Sequence, residues 1–347
     1  MTYAAKIPIE NIYYLFCYAW NRFEEAQSIE LGGSESPDLL NLLAKVLLRG
    51  TRVLLKRGLD REYRLTSDSL ATVRGRIDLS SSIRMQSRRQ KRLICEFDEL
   101  SPDVLHNQIL KASLKRLALS QSIERNLKHE LLSLARRMSD VRDITLRRSD
   151  FERVCLHRNI AYYDLLLKVA ALAYDSLLPD PVSGGYAFLD ILRNERKMAV
   201  VFQDFVRNFY DIEQEALAVK PLSLAWQAIP ISVTGAAQLP RMIVDVHLSS
   251  PNRAIIIDTK YYPEALQSYR DASSFRSAHL YQLFSYLRNA AASSADPKNI
   301  EGMLLYPWAH TSLRETYEIH GHKVTIATID LAQSWKHVRS DLLSLIG

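Results

Sequence analysis

Residues Arg241–Tyr262 read RMIVDVHLSSPNRAIIIDTKYY. Two apolar-rich runs, "RMIVDVHL" and "AIIIDTKYY", flank the turn-prone "SSPNR", so the stretch reads as an antiparallel hairpin centred near Pro251 and Asn252. In that register Asp245 lies opposite Asp258, and Lys260, two residues further on, shares their face. Directly opposed residues hold their Cβ atoms about 4.5–5.5 Å apart. Asp258 closes the apolar run Ala254–Ile257, where an unpaired carboxylate is costly. The same run argues for a central strand rather than an edge.

Two carboxylates that close repel unless a proton or a divalent cation lies between them, and oxygen donors of this kind suit Mg²⁺. The chemistry that fits is phosphodiester hydrolysis: a cation polarises the phosphate and acidifies a water, and the lysine stabilises developing negative charge. The competing reading is an exposed hairpin whose Asp and Lys form a cross-strand ion pair worth well under about 1 kcal/mol. A D/E-x-K triplet alone does not choose between them, because the chain holds three: Glu195–Lys197, Asp258–Lys260 and Asp296–Lys298. Glu195 falls on a polar helix face and Asp296 in the loop "SSADPKN", so only Asp258 has a setting that demands a partner.

Working outward, "SFRSAHLYQLFSYLRNAA" (274–291) reads as a helix with His279, Gln282 and Tyr286 along one face. Gln282 is the candidate that reaches the site, whereas His279 is expected to meet solvent. A helix at 193–214 precedes the hairpin, and strands are expected at 223–232 and 301–307, followed by a hairpin at 314–331 turning near Gly321. The order is αβββαβ with additions at the end.

The first half reads mostly as helix, at 11–26, 38–58, 104–120 and 158–178, with short strands in 67–101 around a basic segment. Pro179, Pro181, Gly184 and Gly185 interrupt any periodic element, so the boundary is placed there: a helical and mixed domain at 1–180 and a second domain at 181–347. The class is α/β, of the α+β kind, with a mixed central sheet.

Composition excludes several classes. The 347 residues carry 45 Lys and Arg against 39 Asp and Glu, a net charge of +6 that favours a polyanionic partner. No apolar run approaches the roughly 20 residues of a membrane span, and the N-terminus lacks signal-peptide organisation, so a cytoplasmic protein is expected. Cys17, Cys95 and Cys155 lack zinc or disulfide spacing and are expected as buried apolar residues. Arg84, Arg88, Arg89, Lys91 and Arg92 form the strongest local basic patch, suited to phosphates or an acidic partner surface.

Asp245, then Asp258-Thr259-Lys260, then "QLFSY" on a helix resembles the PD-(D/E)xK nuclease superfamily. Over the whole chain "IPIENIYYLFCYAW", "RGRIDL", "CEFDEL", "LHNQILKASL", "LPRMIVDV", "IIIDTKYY" and "HLYQLFSYL", in that order, resemble the McrC nuclease subunits of McrBC modification-dependent restriction systems. The resemblance implies that Asp245, Asp258 and the Thr259 carbonyl bind Mg²⁺, with Mn²⁺ as a substitute, and that Lys260 assists the attacking water. Many superfamily members carry an acid in a helical F-E-x-F pattern. This chain has Phe202-Gln203-Asp204-Phe205, so no helix-borne metal ligand is assigned.

The resemblance further implies an McrB-like AAA+ GTPase ring as partner, met by the N-terminal domain. That ring would recognise and translocate double-stranded DNA carrying modified cytosine, and its GTP hydrolysis would be stimulated by this chain. The absence of a G-x-x-x-x-G-K-[ST] loop agrees with a motor held on another polypeptide, so no nucleotide site is expected here. Two nuclease subunits meeting across the duplex would cut both strands. Two other readings are a non-catalytic adaptor that activates an NTPase and tethers it to DNA, and a stand-alone nuclease, which would need a recognition surface the sequence does not offer.

Overall fold

The computed structural model describes residues 7–27, 38–84, 92–156, 161–179, 186–188, 192, 194–229, 231, 238–261, 266–269, 272–292, 299–307 and 312–347. Helices α1 (Ile9–Ala19) and α2 (Phe23–Gln27) open the chain. They are followed by α3 (Leu39–Arg57), β1 (Glu62–Leu70), β2 (Arg76–Ile77), α4 (Leu79–Arg84), β3 (Leu93–Ser101) and α5 (Leu105–Ala118). Next come α6 (Arg125–Arg136), α7 (Arg148–Glu152), α8 (Ala161–Asp175), β4 (Leu177–Pro179) and β5 (Tyr186–Phe188).

The chain divides into two compact units, Ser28–Leu189 and a discontinuous one made of Met1–Gln27 with Asp190–Gly347. In the first, α3 starts on Asp38, whose carboxylate accepts from the Asn41 N–H at 2.8 Å, and stops at Gly58, where φ is 93°. Its leucine face packs against α5, α6 and α8. Strands β1, β3 and β2 form a three-stranded antiparallel sheet in that order.

The second unit departs from the expected boundary, because the first 27 residues belong with the C-terminal half. Tyr18 on α1 stacks on Phe23 at 4.0 Å between ring centroids and meets Phe205, Phe209 and Trp335 within 6 Å. Asn11 donates to the carbonyls of Leu331 and Gln333 at 2.8 and 2.7 Å. An aromatic cluster of this size, with its backbone partners satisfied, outweighs proximity in sequence.

This unit continues with α9 (Glu195–Glu213), β6 (Ala218–Val219), β7 (Leu222–Leu224), β8 (Met242–Val244), β9 (Val246–Ser250), β10 (Arg253–Thr259), β11 (Leu266–Tyr269) and β12 (Ala272–Phe275). It ends with α10 (Ser277–Ala292), β13 (Ile300–Pro307), β14 (Arg314–Ile319), β15 (His322–Ile329) and α11 (Trp335–Ile346). Its main sheet has six strands in the order β14-β15-β13-β10-β9-β6, with β10-β13 and β13-β15 parallel and the other pairs antiparallel. The sheet is mixed and β10 is internal, as its apolar run predicts. The β14–β15 turn has positive φ at His320 and Gly321, 51° and 79°, the primed-turn conformation that suits a two-residue hairpin.

Of the strand expected over 223–232, the described residues pair as a strand at Leu222–Leu224 alone, with β8. Beyond it the Trp226 indole donates to the Pro240 carbonyl at 2.9 Å, and Ile229 and Ile231 are fully exposed. Among the described residues no strand pairs with Ile229 or Ile231, and the proline between them in sequence has no N–H to offer a ladder. Of the cysteines, Cys17 and Cys95 are buried as expected, but Cys155 is exposed, because it follows the end of α7 in an irregular stretch. Among the described residues no helix is long and apolar enough to cross a membrane.

Gly302 on β13 lets α10 come close to the sheet: a Cβ there would lie 2.8 Å from Leu287 Cδ1 and 3.1 Å from Leu283 Cδ2. Gly302→Val is expected to destabilise the protein by about 1–3 kcal/mol through overpacking. Urea denaturation measures this, and an unchanged midpoint would show that the helix can retreat freely.

Candidate functional site

The hairpin forms in the expected register, from Arg253↔Ser250 to Ile257↔Val246. The ladder stops there. Asp245 sits in a bend between β8 and β9, and its carboxylate, not a backbone carbonyl, accepts the Thr259 N–H at 2.9 Å and the Thr259 hydroxyl at 3.0 Å. On its other side β10 stays paired with β13 through Asp258↔Leu304 and Thr259↔Leu305, and Lys260 N–H donates to the Leu305 carbonyl at 2.9 Å. The bend therefore opens one side of the strand end while the other holds it rigid.

Asp258 is 0% exposed, and its Oδ2 lies 2.7 Å from Lys260 Nζ. Burial pushes the Asp258 carboxyl up from 3.8 to about 6; Lys260 opposes the rise and the neighbouring charge of Asp245 adds to it. Lys260 Nζ also donates to Gln282 Oε1 at 3.0 Å. Gln282 Nε2 donates to the Tyr286 hydroxyl at 2.7 Å, and that hydroxyl donates to the Ile243 carbonyl at 3.2 Å. One face of α10 is thus tied to Lys260 and to β8. An exposed cross-strand ion pair does not describe this arrangement.

His279 does not meet solvent: it is 9% exposed, and its Nδ1 lies 2.8 Å from the Tyr306 hydroxyl. Burial, then the charges of Lys260 and Arg276, pull its pKa down from 6.5 to about 4, so the imidazole is neutral at pH 7. A ring that cannot carry charge here is a packing and hydrogen-bonding group.

The model of the "McrBC 5-methylcytosine restriction system component" family matches residues 10–307. The chain belongs to the McrBC family. It is 30% identical over 339 residues, 98% of this chain and 97% of the relative, to "Type IV methyl-directed restriction enzyme EcoKMcrBC" of Escherichia coli (strain K12). In fold it is similar to a chain in the "Refined half-complex from tetradecameric assembly of Thermococcus gammatolerans McrB AAA+ hexamers with bound McrC". That likeness has a TM-score of 0.60 at 18% identity and covers 97% of this chain and 76% of the other.

The other residues singled out in the sequence have the following surroundings. Glu195 and Lys197 are exposed in the first turn of α9, and Asp204 is ion-paired with Arg207 one turn along. Arg84 and Arg92 are exposed, and Arg92 donates to the Ser69 carbonyl. Arg88, Arg89, Lys91 and the Asp296–Lys298 triplet lie outside the described residues.

In the Ser28–Leu189 unit the structure adds a group no sequence spacing announces. Asp60, Glu62 and His106 each place one ligand atom within 4.8 Å of the others, a set that could hold a metal ion. Two of its members lie just before and at the start of β1 and the third in the first turn of α5, so only the tertiary fold joins them.

Proposed function

We propose that this chain is the DNA-cutting subunit of its restriction system, a divalent-cation-dependent endodeoxyribonuclease built on Asp245, Asp258 and Lys260. The observation that carries the reading is the carboxylate of Asp258, wholly buried at the end of an internal strand, with Lys260 against it and Asp245, in the bend between β8 and β9, hydrogen-bonded to the adjacent Thr259 N–H. Two carboxylates with hard oxygen donors fit Mg²⁺, with Mn²⁺ as a substitute, and the Thr259 carbonyl would complete the protein ligands. When bound, the cation polarises a phosphate oxygen and acidifies a water. Asp245 and Asp258 hold the acidic pair in place. Lys260, pinned between Asp258 and Gln282, presents its ammonium where negative charge develops on the phosphate.

The proposal extends to partners. An McrB-like AAA+ GTPase ring, of the kind named in the Thermococcus gammatolerans assembly, would bring double-stranded DNA carrying modified cytosine to the site and would have its hydrolysis stimulated by this chain. The Ser28–Leu189 unit is proposed to face that ring. Arg84 and Arg92 flank a basic segment suited to phosphate or partner contacts. Two copies meeting across the duplex would serve both strands. Reconstitution with the partner, GTP and Mg²⁺ tests the reading: Asp258→Ala should not cut DNA, and retained cutting would sink it.

Tyr286 fixes which end of the Gln282 amide faces Lys260, since its hydroxyl takes the Gln282 N–H. Tyr286→Phe should slow single-turnover cleavage by about tenfold, the worth of roughly one hydrogen bond. DNA affinity, measured alongside, should not move; an unchanged rate would remove Gln282 orientation from the mechanism.

A further inference from the structure

We propose that Asp60, Glu62 and His106 form a second divalent-cation site, of the zinc class, that clamps the start of β1 to the first turn of α5. It goes beyond the nuclease reading and does not depend on it. His106 Nε2 and Asp60 Oδ2 are 3.0 Å apart, and the Glu62 carboxylate brings a third donor atom within 4.8 Å of both. Ligand bonds of about 2.0–2.1 Å in tetrahedral geometry set neighbouring donors about 3.3 Å apart. The His106–Asp60 separation is within a few tenths of an ångström of that spacing, so only Glu62, on the surface, has to swing in.

The two inner ligands are held in advance by a network outside the donor set. The Asp60 N–H donates to the Tyr163 hydroxyl at 2.9 Å, and the Asp60 carbonyl accepts from Asn107 Nδ2 at 2.9 Å. The Tyr163 hydroxyl in turn donates to Asn107 Oδ1 at 2.9 Å, while its ring stands edge-on to His106 at 4.9 Å. Both backbone groups of Asp60 are fixed and the imidazole is 97% buried, leaving it 3% exposed. Glu62 also lines a cleft of about 620 Å³ with Arg64, Asp103 and Gln108, so its carboxylate is open to solvent.

The donor types separate the two sites. An imidazole with carboxylates suits Zn²⁺, whereas the all-oxygen pair Asp245 and Asp258 suits Mg²⁺. With three protein donors, the fourth zinc position falls to water. The competing arrangement is an ordinary Asp60–His106 ion pair with Glu62 free in solvent.

Titrating the chelator-stripped full-length chain with Zn²⁺ by calorimetry decides between them. Wild type should bind one equivalent whose Kd weakens at least about tenfold in Glu62→Gln and in His106→Gln, and stays unchanged in Asp258→Asn. Glu62 is exposed, so Glu62→Gln retains the fold even if the buried His106 variant does not, and its melting temperature should no longer rise with Zn²⁺. Wild-type affinity in Glu62→Gln, no zinc bound by wild type, or loss of the equivalent in Asp258→Asn would each overturn the proposal. Failure of DNA cleavage in Asp258→Asn bears on the nuclease reading alone.

Discussion

Lys260→Ala, reconstituted with the proposed AAA+ partner, should lose DNA cleavage by about 10²–10³-fold or more while leaving the proposed stimulation of that partner's GTPase at the wild-type level. The ammonium does two things that alanine cannot. It stands 2.7 Å from Asp258 and opposes the upward push of burial on that carboxyl. It is also held by Gln282, in the position proposed to meet the phosphate. GTPase stimulation should survive because the face proposed to meet the ring belongs to the Ser28–Leu189 unit, and Lys260 belongs to the other. Cleavage at the wild-type rate would remove Lys260 from the chemistry. Loss of both activities in a folded variant would overturn the division of labour between the units.

Asp258→Asn should make the protein more stable in the absence of divalent cations at pH 8, by up to about 3 kcal/mol, with the gain vanishing near pH 4. The folded carboxyl titrates at about 6 against an ordinary value of 3.8. Below the ordinary value it is protonated in both states and costs nothing. As pH rises from about 4 to 6 the unfolded chain ionises freely while the folded carboxyl stays protonated, so stability is lost across that window and levels off above it. Asparagine carries no charge to bury. The folded value already contains the Lys260 pair, so the figure is net of it; burying an asparagine amide beside that ammonium carries its own cost, which makes the figure an upper bound. Thermal melts at pH 4, 6 and 8, with EDTA and with Mg²⁺, read the effect. Mg²⁺ should raise the wild-type melting temperature and leave Asp258→Asn unmoved; a variant less stable than wild type at pH 8 would show that the ion pair outweighs the burial. A residue that destabilises the fold where it serves chemistry is the usual signature of a working site.

Much of the site is legible in 22 residues because β structure has period two. Once "SSPNR" is a turn, the residue numbers of opposed positions follow, and the observed pairs Arg253↔Ser250 to Ile257↔Val246 are those the turn dictates. The face shared by Asp258 and Lys260 and the reach of Gln282 from α10 also follow from local periodicities. Helices α6 and α11 were equally readable, through Leu127, Leu131 and Leu134 in one and Val338, Leu342 and Ile346 in the other, yet they fall outside the elements singled out. The strand expected through Ile229 and Ile231 differs for the opposite reason: alternation is present, but among the described residues no strand lies beside it.

What the sequence alone determined is therefore the strand pair, the internal position of β10, the αβββαβ order and the identity of three charged residues at one end of the hairpin, since all rest on patterns repeated every two to four residues. Only the tertiary structure decided that Asp245 leaves the ladder and caps Thr259, that Tyr286 ties Gln282 to the Ile243 carbonyl, and that α1 joins the C-terminal unit through Tyr18 and Trp335. The meeting of His106 with Asp60 and Glu62 is of the same kind. Each of these joins groups far apart in the chain, and their proximity is fixed by how apolar faces pack, which no local period encodes.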